Sequence, residues 1–245
     1  MASLLSKVNQ AMKQATRPWC SVIVPAAGNA TRMEGKDKIL SDIGGRPVIV
    51  HTIEALQNCP YVDEIIIVTR EELMQPIGEL VVEANFRKVV RILRGGASRA
   101  ESVWLGLGHV NPKAELIGIH DGARPFVSQK LLEEVFTRAV KAGAAAPAVP
   151  VKDTIKEVDK NGIVVRTVER ENLRAVQTPQ VFEASIIKAA LQVAVEKKLP
   201  ITDDCSAVEL LGKRVLLTKG DYDNIKITTP GDLVLGEAIL KWRQG

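Results

Sequence analysis

Residues 25–38 read PAAGNATRMEGKDK, and the run before them, Ser21-Val22-Ile23-Val24, is short, apolar and β-branched. Such a run predicts a buried strand. Ala26, Ala27 and Gly28 then set three tiny side chains where that strand must turn. A backbone without bulk can come within hydrogen-bonding distance of a phosphate and aim several N–H groups at it. Arg32 and Lys38 add a planar fork and a point charge, with Glu34 and Asp37 between them, a combination suited to a polyphosphate. The same residues also fit a Gly/Ala turn carrying solvated cations.

Outward from this loop the chain alternates strand and helix. Pro47 sits at the first turn of an amphipathic helix predicted over 48–57, after the Gly44-Gly45-Arg46 turn. Residues 64–69 (EIIIVT) form a second buried strand, 71–85 a helical segment interrupted at Pro76 and Gly78, and 89–93 a third strand broken by Gly95-Gly96. A helix follows over 98–108, a fourth strand over 116–120, a Ser128-capped helix ending at Gly143, and a fifth strand over 144–149. This rhythm predicts an α/β fold, a Rossmann-like three-layer sandwich with a mainly parallel sheet.

After Pro150 the pattern changes. Residues 154–158 and 164–168 alternate apolar and polar around Asp159-Lys160-Asn161-Gly162, which predicts a hairpin. A lone hairpin is marginal in water, so this arm needs a surface to pack on, a partner subunit being one candidate. Thr178-Pro179-Gln180 leads toward a helix over 183–197, and Thr202-Asp203-Asp204 caps a short helix up to Gly212. Short strands are expected at 215–219 and 225–228, and Thr229-Pro230 opens a last helix through Trp242. The layout is an N-terminal extension (1–18) and one domain (19–245), with 150–175 as the projecting β-hairpin arm.

Composition sets limits on the rest. The chain has 245 residues, 46% of them hydrophobic, and a formal net charge of +4 with acids and bases interspersed. That suits an anionic small ligand and argues against a nucleic-acid binder with basic blocks. Cys20, Cys59 and Cys205 are odd in number and widely spaced, so neither disulfides nor zinc are expected, and the cytoplasm is the default compartment. No apolar run approaches the ~20 residues that span a bilayer, so no membrane association is expected.

Four groups fall where strands end, the place ligands bind in open α/β sheets. They are the opening loop; Gly95 to Ser102 after the third strand; His120-Asp121-Gly122-Ala123-Arg124-Pro125 after the fourth; and Asp223-Asn224-Ile225-Lys226. Asp121 could hold Mg²⁺ directly or through water, and Arg124 could clamp a phosphate, or the two could form a structural pair in a turn. Gly28, Ala30 and Met33 occupy the three glycine positions of a dinucleotide fingerprint, which is therefore broken, and no Walker loop is present. A nucleotide-dependent transferase handling a triphosphate with cations and Mg²⁺ is the reading that remains.

Seven motifs occur in order: PAAG-x-x-x-RM with a following Lys, GG-x-x-R-x-x-SV, HD-x-ARP, V-x-DT, TPQ, ITDD and DNIK-x-T. The chain resembles the 2-C-methyl-D-erythritol 4-phosphate cytidylyltransferase family over these motifs, from about residue 21 to residue 240. The resemblance implies CTP and a polyol phosphate as substrates, a divalent cation such as Mg²⁺, and a homodimer built through the β-arm. It further implies that Arg32 and Lys38 stabilise the transition state. Ala26, Ala27, Gly28, Gly96, Ser102, Asp121 and Gly122 would hold the nucleotide, with Asp121 also on the metal. Arg124, Thr154, Arg170, Thr202 and Lys226 would contact the methylerythritol phosphate. Two departures from the family pattern stand out: Ala30 replaces a usual glycine, and the Arg32-to-Lys38 segment is one residue shorter, with Lys38 rather than Lys36 matched to the family lysine. A cytidylyltransferase for another polyol phosphate, such as ribitol 5-phosphate, and a nucleotide-binding regulator without turnover remain the alternatives.

Overall fold

The structure is a computed structural model and describes residues 17–28 and 37–244. The expected extension falls mainly on residues 1–16, and Arg32 on residues 29–36; both stretches lie outside the described residues.

Strand β1 (Cys20–Pro25) lies in the middle of the main sheet, between β4 (Glu64–Thr69) and β6 (Leu116–Ile119), parallel to both. β5 (Val89–Arg94) extends the sheet parallel to β4. Nearly every residue of β1 and all of β4 are buried, as expected where helices cover both faces. The period of two sorts their side chains. Val22, Val24, Ile65 and Ile67 join the core with α1 (Val48–Gln57), α2 (Glu71–Glu83) and α4 (Gln129–Ala142). Ile23, Ile66 and Val68 face α3 (Arg99–Leu107), α5 (Ala184–Glu196) and α6 (Asp204–Leu210). The result is the expected three-layer α/β sandwich.

The far half of the sheet is built by β7 (Ala144–Pro150), β10 (Arg174–Val176), β11 (Gln180–Glu183) and β12 (Leu216–Lys219). The path runs β10-β7-β11-β6-β1-β4-β5, with β12 paired parallel to β7. β10 and β11 run antiparallel to β7, and β11 also pairs antiparallel with β6. The arm, β8 (Ile155–Val158) and β9 (Val164–Val168), is a separate antiparallel hairpin with a register shift at Glu157/Val158. A small hairpin, β2 (Asp42–Ile43) and β3 (Arg46–Pro47), turns at Gly44 and Gly45, both at positive φ, and the chain ends in α7 (Pro230–Gln244).

Three local expectations are corrected. α2 is continuous through Pro76 and Gly78, because Leu73 and Ile77 bury one face of it and that packing outweighs the loss of one i→i−4 bond at the proline. The stretch after Thr178-Pro179 does not run straight into a helix: Gln180–Glu183 is a strand, with Val181 and Phe182 fully buried, and α5 starts directly behind it. Residues 225–228 are not a strand. Ile227 N–H donates to Ala123 C=O (2.8 Å), tying this stretch to the loop after β6 rather than to a ladder.

Candidate active site

Because β1, β4, β5 and β6 are parallel, their carboxyl ends open on one side of the sheet, where a cleft of about 490 Å³ is found. Ala26, Ala27 and Gly28 form one wall. Ala26 is fixed to the end of β4, its N–H donating to Val68 C=O (2.7 Å) and its C=O accepting from Thr69 Oγ1 (3.2 Å). Opposite, Gly95 N–H donates to Thr69 C=O (2.7 Å). A methyl group at Gly95 would lie 2.8 Å from both Ala27 Cβ and Ser102 Oγ, so the two walls approach each other over a glycine.

The second wall is folded back on α3. Ser98 caps that helix, its hydroxyl accepting from Glu101 N–H, and Glu101 Oε2 in turn accepts from Ala97 N–H (2.8 Å). Ser102 Oγ donates to Ser98 C=O (2.9 Å) and accepts from Gly96 N–H (3.1 Å). The Ser102 hydroxyl thus holds the shape of the glycine loop.

Positive charge rings the cleft. Lys38 Nζ lies 3.5 Å from where a Gly28 Cβ would be, which puts the ammonium over the small-residue wall. Asp121 is buried at the end of β6, with Lys226 Nζ at 3.0 Å, Arg124 Nε at 3.4 Å and Arg99 Nε at 3.5 Å from its oxygens. Burial alone would raise the Asp121 pKa, but Arg99, Lys226 and Arg124 hold it well below the usual carboxylate range, so it stays ionised. Arg99 also pairs with the fully buried Asp204 (2.7 Å), and Arg124 Nη1 donates to Asn224 C=O (2.7 Å).

Next to Asp121, His120 is fully buried and its pKa is pushed down to about 4 by that burial. Its Nε2 lies 3.3 Å from Arg124 C=O, which only accepts, so Nε2 carries the proton. Nδ1 then accepts from Thr178 Oγ1 (3.0 Å), whose oxygen accepts from Asp121 N–H (3.0 Å). The imidazole is a neutral strut under the Asp121 backbone.

Of the residues expected at the site, Ala26, Ala27, Gly28, Lys38, Gly96, Ser102, Asp121 and Lys226 line the cleft together. Gly122 lies beneath it, where a methyl group would meet Ala26 Cβ and Ile49 Cδ1 at 3.1 Å, so its smallness serves packing of the loop base. Arg124 pairs with Asp121 but is outside the cleft lining, as are the exposed Thr154, Arg170 and Thr202. Gly95 and Arg99, from the group after the third strand, line the cleft as well, and so do Thr69 and Arg70, which no motif marked. Arg99 stood in a quoted motif, but its partner Asp204 is 105 positions away, a pairing no local pattern reveals.

In open α/β sheets nucleotides bind over the strand ends, where this cleft gathers small residues and cations, and the relatives of the chain make its class that of a nucleotidyltransferase. The family model for IspD, 2-C-methyl-D-erythritol 4-phosphate cytidylyltransferase, matches residues 20–242, and the chain belongs to that family. It is 45% identical to the 2-C-methyl-D-erythritol 4-phosphate cytidylyltransferase of Desulforamulus reducens over 227 residues, covering 90% of this chain and 95% of that one. The enzyme of the same name from Bacillus mycoides is 44% identical over 221 residues, covering 90% and 97%. Among solved structures, 4-diphosphocytidyl-2C-methyl-D-erythritol synthase from Anaerococcus prevotii superposes with a TM-score of 0.82 at 30% identity, covering 91% of this chain and 96% of that one. The Thermus thermophilus cytidylyltransferase gives 0.76 at 34% identity, covering 91% and 99%.

Proposed function

We propose that the chain transfers the cytidylyl group of CTP to the phosphate of 2-C-methyl-D-erythritol 4-phosphate. The products are 4-diphosphocytidyl-2-C-methyl-D-erythritol and pyrophosphate, a step of non-mevalonate isoprenoid synthesis. Family membership supports the substrates, and the observation that carries the chemistry is the gathering of Lys38, Lys226 and Arg99 with ionised Asp121 around one cleft. An oxygen of the acceptor phosphate attacks the α-phosphorus; the new P–O bond forms as the bond to the bridging oxygen breaks, and pyrophosphate leaves with that electron pair. The acceptor brings its own nucleophile, so the protein supplies alignment and positive charge.

Alignment of two reactants contributes about 7–11 kcal/mol toward such a barrier. Lys38, with Arg32, stabilises charge growing at the α-phosphate and the leaving group. The small residues Ala26, Ala27, Gly28 and Gly96 admit the nucleotide, and Lys226 and Arg124 serve the acceptor phosphate. Asp121 is ionised, as a metal ligand must be, but Lys226, Arg124 and Arg99 already surround its oxygens, so it would hold Mg²⁺ through water, with the nucleotide's phosphates as the direct donors. Bound there, the ion would neutralise triphosphate charge.

The arm gives the reading of a homodimer. Val158, Ile163, Val164 and Val165 are each more than half exposed on a hairpin that pairs with itself, and two strands alone are marginal in water. Thr154 and Arg170 then complete the neighbour's acceptor site. The chain is read as one domain from residue 19, with 150–175 as that dimerisation arm. Three unpaired, buried cysteines suit a cytoplasmic setting, and no helix among the described residues is long and apolar enough to cross a membrane.

The test is pyrophosphate release from CTP with 2-C-methyl-D-erythritol 4-phosphate, run beside ATP, GTP and ribitol 5-phosphate. CTP with the methylerythritol acceptor is expected to exceed each substitute by about a hundredfold or more, since a site that bonds a base's polar edge leaves buried groups unpaired with the wrong base. Comparable turnover with ATP, or a preference for ribitol 5-phosphate, would overturn the assignment.

A further inference from the structure

The end of β4 holds both stems of the loop that carries the catalytic cations. Val68 and Thr69 bond the outgoing stem at Ala26. Arg70, the next residue and the N-cap position of α2, forms a hydrogen-bonded ion pair through Nη2 with Asp37 Oδ2 on the returning stem. On its other side, Arg70 Nε lies 2.7 Å from Glu72 Oε1 in the first turn of α2. Asp37 is fixed at two further points, its Oδ1 accepting from Ile39 N–H and its C=O from Ser41 Oγ, both at 2.8 Å. The residue following this anchored acid is Lys38, whose ammonium stands over Gly28.

We infer that Arg70 is a positioning residue: by clamping Asp37 to the end of β4 it sets where the neighbouring Lys38 delivers its charge. A planar fork hydrogen-bonded to Asp37, with Glu72 at ion-pair distance on its other side, fixes a backbone more firmly than one point charge does. A cation displaced by about 1 Å from a developing charge forfeits up to about a hundredfold in rate. Asp37 and Arg70 are both largely shielded from solvent, so their pair is less screened than a surface pair. This role rests on the reading of Lys38 as a transition-state cation.

The test is a set of variants of the full chain, assayed with CTP and the methylerythritol acceptor: Arg70→Met, Arg70→Lys, Asp37→Asn, Lys38→Ala, and Arg70→Met combined with each of the last two. Arg70→Met is expected to lower kcat by about 10- to 100-fold while KM for CTP moves less than about twofold, and Arg70→Lys should fall between it and the wild type. Arg70→Met with Asp37→Asn should be no slower than either alone, as for one interaction removed twice. In the Lys38→Ala background, Arg70→Met should cost nothing further in kcat. Should Arg70→Met fail to fold, Arg70→Lys and Asp37→Asn alone and on Lys38→Ala read the same couplings. A rise in KM for CTP with kcat kept would make Arg70 a direct nucleotide contact and overturn the role, as would losses that multiply with those of Lys38→Ala. Wild-type chain inactive with these substrates would instead overturn the proposed function.

Discussion

A methyl group added at position 95 would press on Ala27 and Ser102 at 2.8 Å, the two sides of the nucleotide cleft. At Gly45 the same methyl group meets nothing within 4 Å, but the residue sits at φ +80°, where an L side chain is strained. Gly95→Ala and Gly45→Ala are therefore both expected to destabilise the fold, by about 1–3 kcal/mol from overpacking and about 1–2 kcal/mol from backbone strain respectively. They should part in kinetics: only Gly95→Ala is expected to raise KM for CTP severalfold. Equal KM values for the two variants would mean that the cleft walls yield without consequence. Sequence made the Gly95-Gly96 pair visible as a break but not which glycine lies between the walls, since that depends on where Ala27 and Ser102 meet it. The cations were visible as residue types, whereas the pairing of Arg99 with Asp204 and of Arg70 with Asp37 exists only after β4, α3 and α6 are packed.

At the next scale, α7 shows how an element's start steadies the site. One Asp232 carboxylate oxygen accepts from the N–H groups of Thr228 and Thr229 (both 2.8 Å) and from their hydroxyls (2.7 and 3.1 Å). This knot lies two residues beyond Lys226. Burial acts to raise the Asp232 pKa, but these bonds outweigh it and lower the value. A carboxylate with a lowered folded-state pKa adds stability above its unfolded value, near 4, and loses it as pH falls through the folded value. Asp232→Asn is expected to cost about 1 kcal/mol at pH 7, with the gap to the wild type narrowing below about pH 4, read from denaturant midpoints at pH 7 and pH 3. A gap that is constant or widens toward acid would mean that the charge does not strengthen the cap. Elements with strong punctuation were legible: α4 between Ser128 and Gly143, and α7 behind Thr229-Pro230. β11 was not, because its four residues adjoin α5 with no turn residue between them, and β10 is only three residues long.

For the whole molecule, the proposed dimer raises the question whether each site belongs to one chain or two. Arg170, exposed and outside the chain's own cleft lining, has its guanidinium on the Lys152 backbone carbonyl at the arm's base. If it serves the neighbour's Lys38, mixing inactive Lys38→Ala and Arg170→Ala chains gives mixed dimers in which one site carries both lesions and the other neither. With random exchange half of the dimers are mixed, so about a quarter of all sites should recover activity. With exchange confirmed by a mass tag, no recovery would mean that each site is completed within its own chain.

The arm leaves the sheet after Pro150 at the end of β7 and returns at Arg174 at the start of β10, and these two residues are paired partners in the ladder. Exit and re-entry therefore coincide, and residues 151–173 are an excursion from what would otherwise be an ordinary tight turn. The cost of closing such an excursion grows only with the logarithm of its length. The body of the enzyme is thus nearly indifferent to how far the arm extends or what it carries at its tip. The outer hairpin, residues 155–168, can therefore be revised over generations while the strand ends that build the cleft stay as they are.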